Sequence, residues 1–182
     1  MAKQNKNILL GVSSSGAIYK SCDITRILKR KGFEVKIVMT PNACKLISPV
    51  LFRGLSENPV YTDMFASDAG DIKHISLAKW ADIFVIAPCS LATLSKIAYG
   101  ICDNLLVSTV FALPKNVKVV LAPAMNVNMW QNPITQRNVE RLKEAGNFIF
   151  AGPAKGSLAC GDKGEGRMLE PKEVVEIALK YL

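Results

Sequence analysis

A single histidine, His74, occurs in the 182 residues. A metal centre built on several imidazoles is therefore excluded. Cysteine is also sparse. Cys22, Cys44, Cys89, Cys102 and Cys160 are widely spaced, odd in number, and form no Cys-x-x-Cys. Neither a zinc site nor a disulfide framework is suggested, and most of them are expected as small buried hydrophobes in a reducing compartment. No apolar run reaches the ~18 residues of a membrane span. The opening MAKQNKN lacks the apolar stretch of a secretory leader. Acidic residues are the minority, 15 against 23 Lys and Arg, for a net charge of +8. The basic residues are scattered, with only short clusters such as Lys29-Arg30-Lys31. A phosphate-bearing ligand explains such a surface as well as nucleic acid does.

At 49% hydrophobic and 21% charged, the chain can bury a core and is expected as a single domain, 1–182. Apolar runs at 7–12, 33–39, 81–88, 117–123 and 147–150 read as strands. Between and after them, helical spacing is found at 17–31, 90–100, 103–113, 134–146 and 170–182, with glycines at 32, 100 and 146 as stops. Pro41 to Lys73 has no clear period, and Gly152 to Glu170 reads as a long irregular loop. Strands alternating with helices imply parallel βαβ units. The expected fold class is α/β, a three-layer doubly wound parallel sheet of flavodoxin or Rossmann type.

In such a sheet, ligands bind beyond the carboxyl ends of the strands. Three segments fall there. GVSSSGAIYK (11–20) is neither a GxGxxG fingerprint nor a P-loop, since Ala17 stands where a P-loop needs lysine. Its serines can still hold a phosphate at a helix start, or act only as caps. APCSLATLSK (87–96) repeats the pattern with Ser90 and Thr93. APAMNVNMW (122–130) brings amides at Asn126 and Asn128, while Met125, Met129 and Trp130 are equally explicable as core. The second strand ends in Thr40 rather than an acidic ribose ligand, so a mononucleotide fits better than a dinucleotide. His74 lies just past Asp71 at a helix start, and its pKa range suits proton transfer.

APCSLATLSKIAYGICDNLL, PAMNVNMW and ACGDKGEGRM together resemble the homo-oligomeric flavin-containing cysteine decarboxylase family, from Ile8 to Met168. The resemblance implies FMN as cofactor, held by Ser13, Ser14, Thr40, Ser90, Leu91, Ala92 and Thr93. It implies a small-molecule substrate, 4′-phosphopantothenoylcysteine, decarboxylated to 4′-phosphopantetheine in the cytoplasm. It assigns His74 as base, Cys160 as acid, and Asn126, Met129 and Ala159 to the substrate. On this reading the 152–170 segment is a flexible flap, made so by its glycines, that carries Cys160 over the substrate. A homo-oligomer, a trimer or a multiple of one, is implied, as is a synthetase that makes the substrate, either fused or separate. Nucleic acid, membrane and metal are not. The alternatives within reach of the same motifs are a peptidyl-cysteine decarboxylase, a prenyl-FMN-forming transferase and a non-catalytic flavin-binding subunit. The chain departs from the family at Ser14 and Ser15, which replace common glycines, and at Leu91-Ala92, where Ala-Asn is usual.

Overall fold

The computed structural model describes residues 6–66, 71–157, 161 and 163–182. Six strands form one parallel sheet: β1 (Asn7–Val12), β2 (Glu34–Met39), β3 (Val60–Tyr61), β4 (Ile83–Cys89), β5 (Lys118–Pro123) and β6 (Phe148–Phe150). Their order is β3-β2-β1-β4-β5-β6. This is the doubly wound order whose direction reverses between β1 and β4. The reversal splays the crossovers apart and opens a crevice beyond those two strand ends.

Both faces of the sheet are covered, which explains why the strands are apolar runs rather than alternations. In β4 every residue is buried. Side chains still alternate in direction. Ile8, Leu10, Ile83 and Val85 join one core with α1 (Lys20–Arg30), α3 (Pro49–Ser56) and α9 (Pro171–Leu179). Leu9, Phe84 and Ile86 join the other, under α4 (Lys73–Trp80), α5 (Leu91–Tyr99), α6 (Leu105–Ala112) and α8 (Pro133–Glu144). Helix starts follow the capping rules. Ser90, Asn104 and Asn132 each accept a backbone N–H of the first turn, and Glu170 opens α9 with a capping box to Glu173.

Two stretches differ from the sequence reading. The unclear region after Pro41 holds α2 (Pro41–Cys44), α3 and the two-residue β3, pieces too short for a period to register. The expected irregular loop at 152–170 contains an antiparallel hairpin, β7 (Ala154–Ser157) with β8 (Lys163–Arg167). Gly164 and Gly166 serve close approach there. A Cβ on Gly164 would lie 2.6 Å from Val127 Cγ2. One on Gly166, whose φ is +144°, would lie 2.4 Å from the Met125 carbonyl oxygen. The strand β8 is seated on the start of α7 (Val127–Gln131), so these two glycines fix a contact. Cys89 is buried, Cys22 and Cys44 are half-buried, and Cys102 is exposed, contrary to its expected burial. Among the described residues no helix is long and apolar enough to cross a membrane.

Candidate functional site at the strand ends

The three serines after β1 do different things. Ser13 is fully buried. Its hydroxyl donates to the Pro88 carbonyl at 2.8 Å and accepts the Ser90 N–H at 2.8 Å, tying the end of β1 to the end of β4. Ser15 donates to the Ala124 carbonyl at 3.2 Å, tying the same loop to the end of β5. Ser14 is half-buried between them. The serine run thus holds three strand ends in one register.

Hydroxyls at the other strand ends act first as caps. Thr40, at the end of β2, accepts the Ala43 N–H at 3.2 Å. Ser90 accepts the Thr93 N–H at 3.4 Å and lies 3.3 Å from the Thr93 hydroxyl. The first-turn N–H groups of Leu91 and Ala92 have no intrahelical acceptor. An apolar Leu-Ala pair can therefore contribute to an anion or carbonyl site through its backbone. Asn126 caps α7, its Oδ1 accepting the Asn128 N–H at 2.8 Å. Met129 is 44% exposed, whereas Trp130 is buried and belongs to the core.

An open cavity of about 560 Å³ lies beyond the β1 and β5 ends, with Ser15, Tyr19, Lys20, Asn126, Ser157 and Arg167 on its walls. The hairpin supplies one side through Ser157 and Arg167, and the Met125 N–H donates to the Gly166 carbonyl at 3.0 Å. Of the sequence-expected residues, Asn126 is on the wall. Ser13, Ser14, Thr40 and Ser90 to Thr93 stand at neighbouring strand ends and do not line it. His74 is in the first turn of α4, in the opposite helical layer from Lys20. Its Nδ1 is buried without a hydrogen-bond partner in the described chain. Asp71 pairs with Lys73 at 2.8 Å, and that hydrogen bond, before any other cause, holds its carboxyl below the usual range. Ala159 and Cys160 lie outside the described residues.

Lys20, Arg167 and Glu170 escaped the sequence reading. A signal for Lys20 existed. It occupies the buried stripe of α1 with Ile24 and Leu28, at i, i+4 and i+8. A lysine on such a stripe is anomalous, and its 5% exposure confirms that it faces inward. Arg167 looked like one more charge in a glycine-rich run, because nothing local announced a hairpin.

The Flavoprotein family model matches residues 1–182. The chain belongs to the Flavoprotein family. Within the Flavoprotein family, it is 42% identical over 172 residues to a Streptococcus mutans protein named "Probable phosphopantothenoylcysteine decarboxylase", covering 94% of this chain and 96% of that one. It is 42% identical over 178 residues to the Bacillus subtilis "Coenzyme A biosynthesis bifunctional protein CoaBC". That match covers 97% of this chain but spans only 43% of the bifunctional protein. Two solved structures are similar. A cysteine-to-serine mutant of PPC decarboxylase complexed with pantothenoylaminoethenethiol superposes at a TM-score of 0.86, with 34% identity over 98% of this chain and 99% of that one. The FMN-binding protein AtHal3 superposes at 0.84, with 36% identity over 97% of both chains. The expected α/β fold and family are both borne out.

Proposed function

We propose that this chain is an FMN-dependent phosphopantothenoylcysteine decarboxylase of coenzyme A biosynthesis. The observation that carries the reading is the near end-to-end match to the Streptococcus mutans protein of that name. The donor set at the strand ends fits FMN. It is rich in hydroxyls and first-turn N–H groups at Ser13, Ser14, Thr40 and Ser90 to Thr93, and it contains no carboxylate. Such a set suits a phosphate and the polar edge of a flavin. When bound, FMN supplies the reversible two-electron chemistry that makes the substrate thiol carbon an electron sink and later restores it.

The chain's own residues handle protons and charge. His74 takes the thiol proton. Asn126, with Met129 and Ala159, holds the cysteine end so that its carboxylate stays aligned. With the carboxylate β to a thiocarbonyl, the C–CO2 bond breaks and its electron pair moves into an enethiolate. Cys160 then gives a proton to the enethiolate carbon. The 152–170 segment covers the substrate during these steps, with the hairpin stem as its anchor.

His74 belongs to a second copy's site on this reading, in a homotrimer or a multiple of one. The unpartnered His74 Nδ1 and the exposed apolar side chains Phe65, Ile72 and Phe111 support that assembly. A synthetase, as a further domain or a separate protein, supplies the substrate in the cytoplasm, in keeping with the bifunctional relatives.

The test is CO2 release from 4′-phosphopantothenoylcysteine against a peptide with a C-terminal cysteine. Release from the first alone is expected. Release from the peptide alone would replace this reading with a peptidyl-cysteine decarboxylase. A protein that takes up no FMN and releases no CO2 would end both.

A further inference from the structure

The described walls of the cavity carry two cations, Lys20 and Arg167, and no carboxylate. Lys20 is held inside the protein. Its ammonium donates to the Met168 carbonyl at 3.1 Å and to Glu170 Oε1 at 3.0 Å. An ammonium has three donors, so one remains. Arg167 reaches the same Glu170 oxygen with Nη2. Glu170 itself is fixed as the N-cap of α9 and is bracketed by Glu173. The Lys20 hydrogen bond, before any other cause, holds its carboxyl below the usual range, so it stays ionised.

One carboxylate therefore serves two cations, and the trio is net positive on a concave wall. A structural staple between α1 and the hairpin needs only one ion pair. The second cation, and the placement of both on the cavity side, are what a staple leaves unexplained. An ammonium beside a guanidinium fork presents several N–H donors to one tetrahedral anion, a geometry suited to a phosphate dianion. Ser15 and Ser157 on the same walls add hydroxyls.

We propose that Lys20 and Arg167 bind a phosphate monoester in this cavity, with Glu170 as the positioning residue that holds both cations. The inference rests on the decarboxylase reading for its candidate ligands. Two molecules of that reading carry the group, the substrate and the flavin.

The experiment is calorimetric titration of wild type, Lys20→Met and Arg167→Gln with two ligand pairs. The first pair is 4′-phosphopantetheine and pantetheine, added to holoprotein. The second is FMN and riboflavin, added to flavin-stripped protein. Thermal melts accompany each variant. In wild type, the phosphorylated member of the first pair should bind ~10-fold or more tighter, the scale of a charge-assisted hydrogen bond. Both variants should lose most of that preference and leave pantetheine affinity within about threefold. Loss confined to the flavin pair would assign the same two cations to the cofactor's phosphate. Equal loss for both members of each pair would mark a structural staple and overturn the proposal, as would an undiminished preference in both pairs. Arg167 has a 44% exposed side chain, so its variant decides the matter if Lys20→Met does not fold. A wild type that releases no CO2 would sink the decarboxylase reading while leaving the phosphate preference measurable.

Discussion

The Ser13 hydroxyl accepts the backbone N–H of Ser90 at 2.8 Å and is fully buried while doing so. The two residues are on opposite sides of the switch point, where no ladder bond can join diverging loops. Removing the hydroxyl leaves the Ser90 N–H buried and unpaired, which costs ~1–3 kcal/mol. Ser13→Ala is therefore expected to lower Tm by roughly 2–10 °C. FMN affinity should fall with it, because the start of α5 loses its tether. Thermal denaturation with a parallel flavin titration checks both, and an unchanged Tm would show that water replaces the hydroxyl.

Gly166 faces the Met125 carbonyl so closely that a methyl group cannot be admitted without moving one backbone. Gly166→Ala is expected to push β8 off the β5–α7 turn. CO2 release should fall at least ~10-fold, a displacement well above one Å being enough for that, with FMN still bound. Gly32→Ala is the control. Its φ is also positive, at +82°, but nothing lies within 4 Å. It should cost only ~1 kcal/mol of stability, with activity intact. Limited proteolysis of the hairpin reports the displacement directly, and equal proteolysis of the two variants would contradict it.

These glycines show where sequence reading stops. The β-strands were legible because both faces of the sheet are covered, which prints as continuous apolar runs such as Ile83 to Cys89. Asn126 was legible because an amide directly after a strand end is a local signal. The hairpin was not. Gly164 and Gly166 look like flexibility in one dimension, and their reason is a partner, Met125 to Val127, some forty residues away. The serines were half-legible. They do stand at the site, but the hydroxyls of Ser13 and Ser15 bind other strand ends. Lys20 needed only the helical stripe to be read for charge as well as for apolarity.

His74→Asn tests the base. An amide keeps the size and polarity of the ring but cannot take a proton near neutral pH. Turnover is expected to fall ~10²–10⁴-fold, with flavin content and oligomeric state preserved. Stopped-flow bleaching of the flavin absorbance on mixing with substrate separates proton abstraction from later steps. Wild-type bleaching in the variant would make His74 a structural residue and leave its buried Nδ1 as a packing feature.

Cys160 is outside the described residues, and its role stands on the ACGD motif and on chemistry. Loss of CO2 leaves an enethiolate whose carbon must be protonated to give the saturated product. A thiol with a pKa of ~8.5 can give that proton at neutral pH, and a serine hydroxyl is far too weak an acid. Cys160→Ser is therefore expected to bind FMN, oxidise substrate and release CO2, then stop. The product should be an enethiol two hydrogens lighter than 4′-phosphopantetheine, and one molecule of flavin should stay reduced for each CO2 released. The cysteine-to-serine relative complexed with pantothenoylaminoethenethiol carries a ligand of that kind. Mass spectrometry of the released product is the measurement. If saturated 4′-phosphopantetheine is recovered at near wild-type rate, Cys160 is not the acid. The proton must then come from another group in the covering segment, with Asp162 beside it as the first to replace.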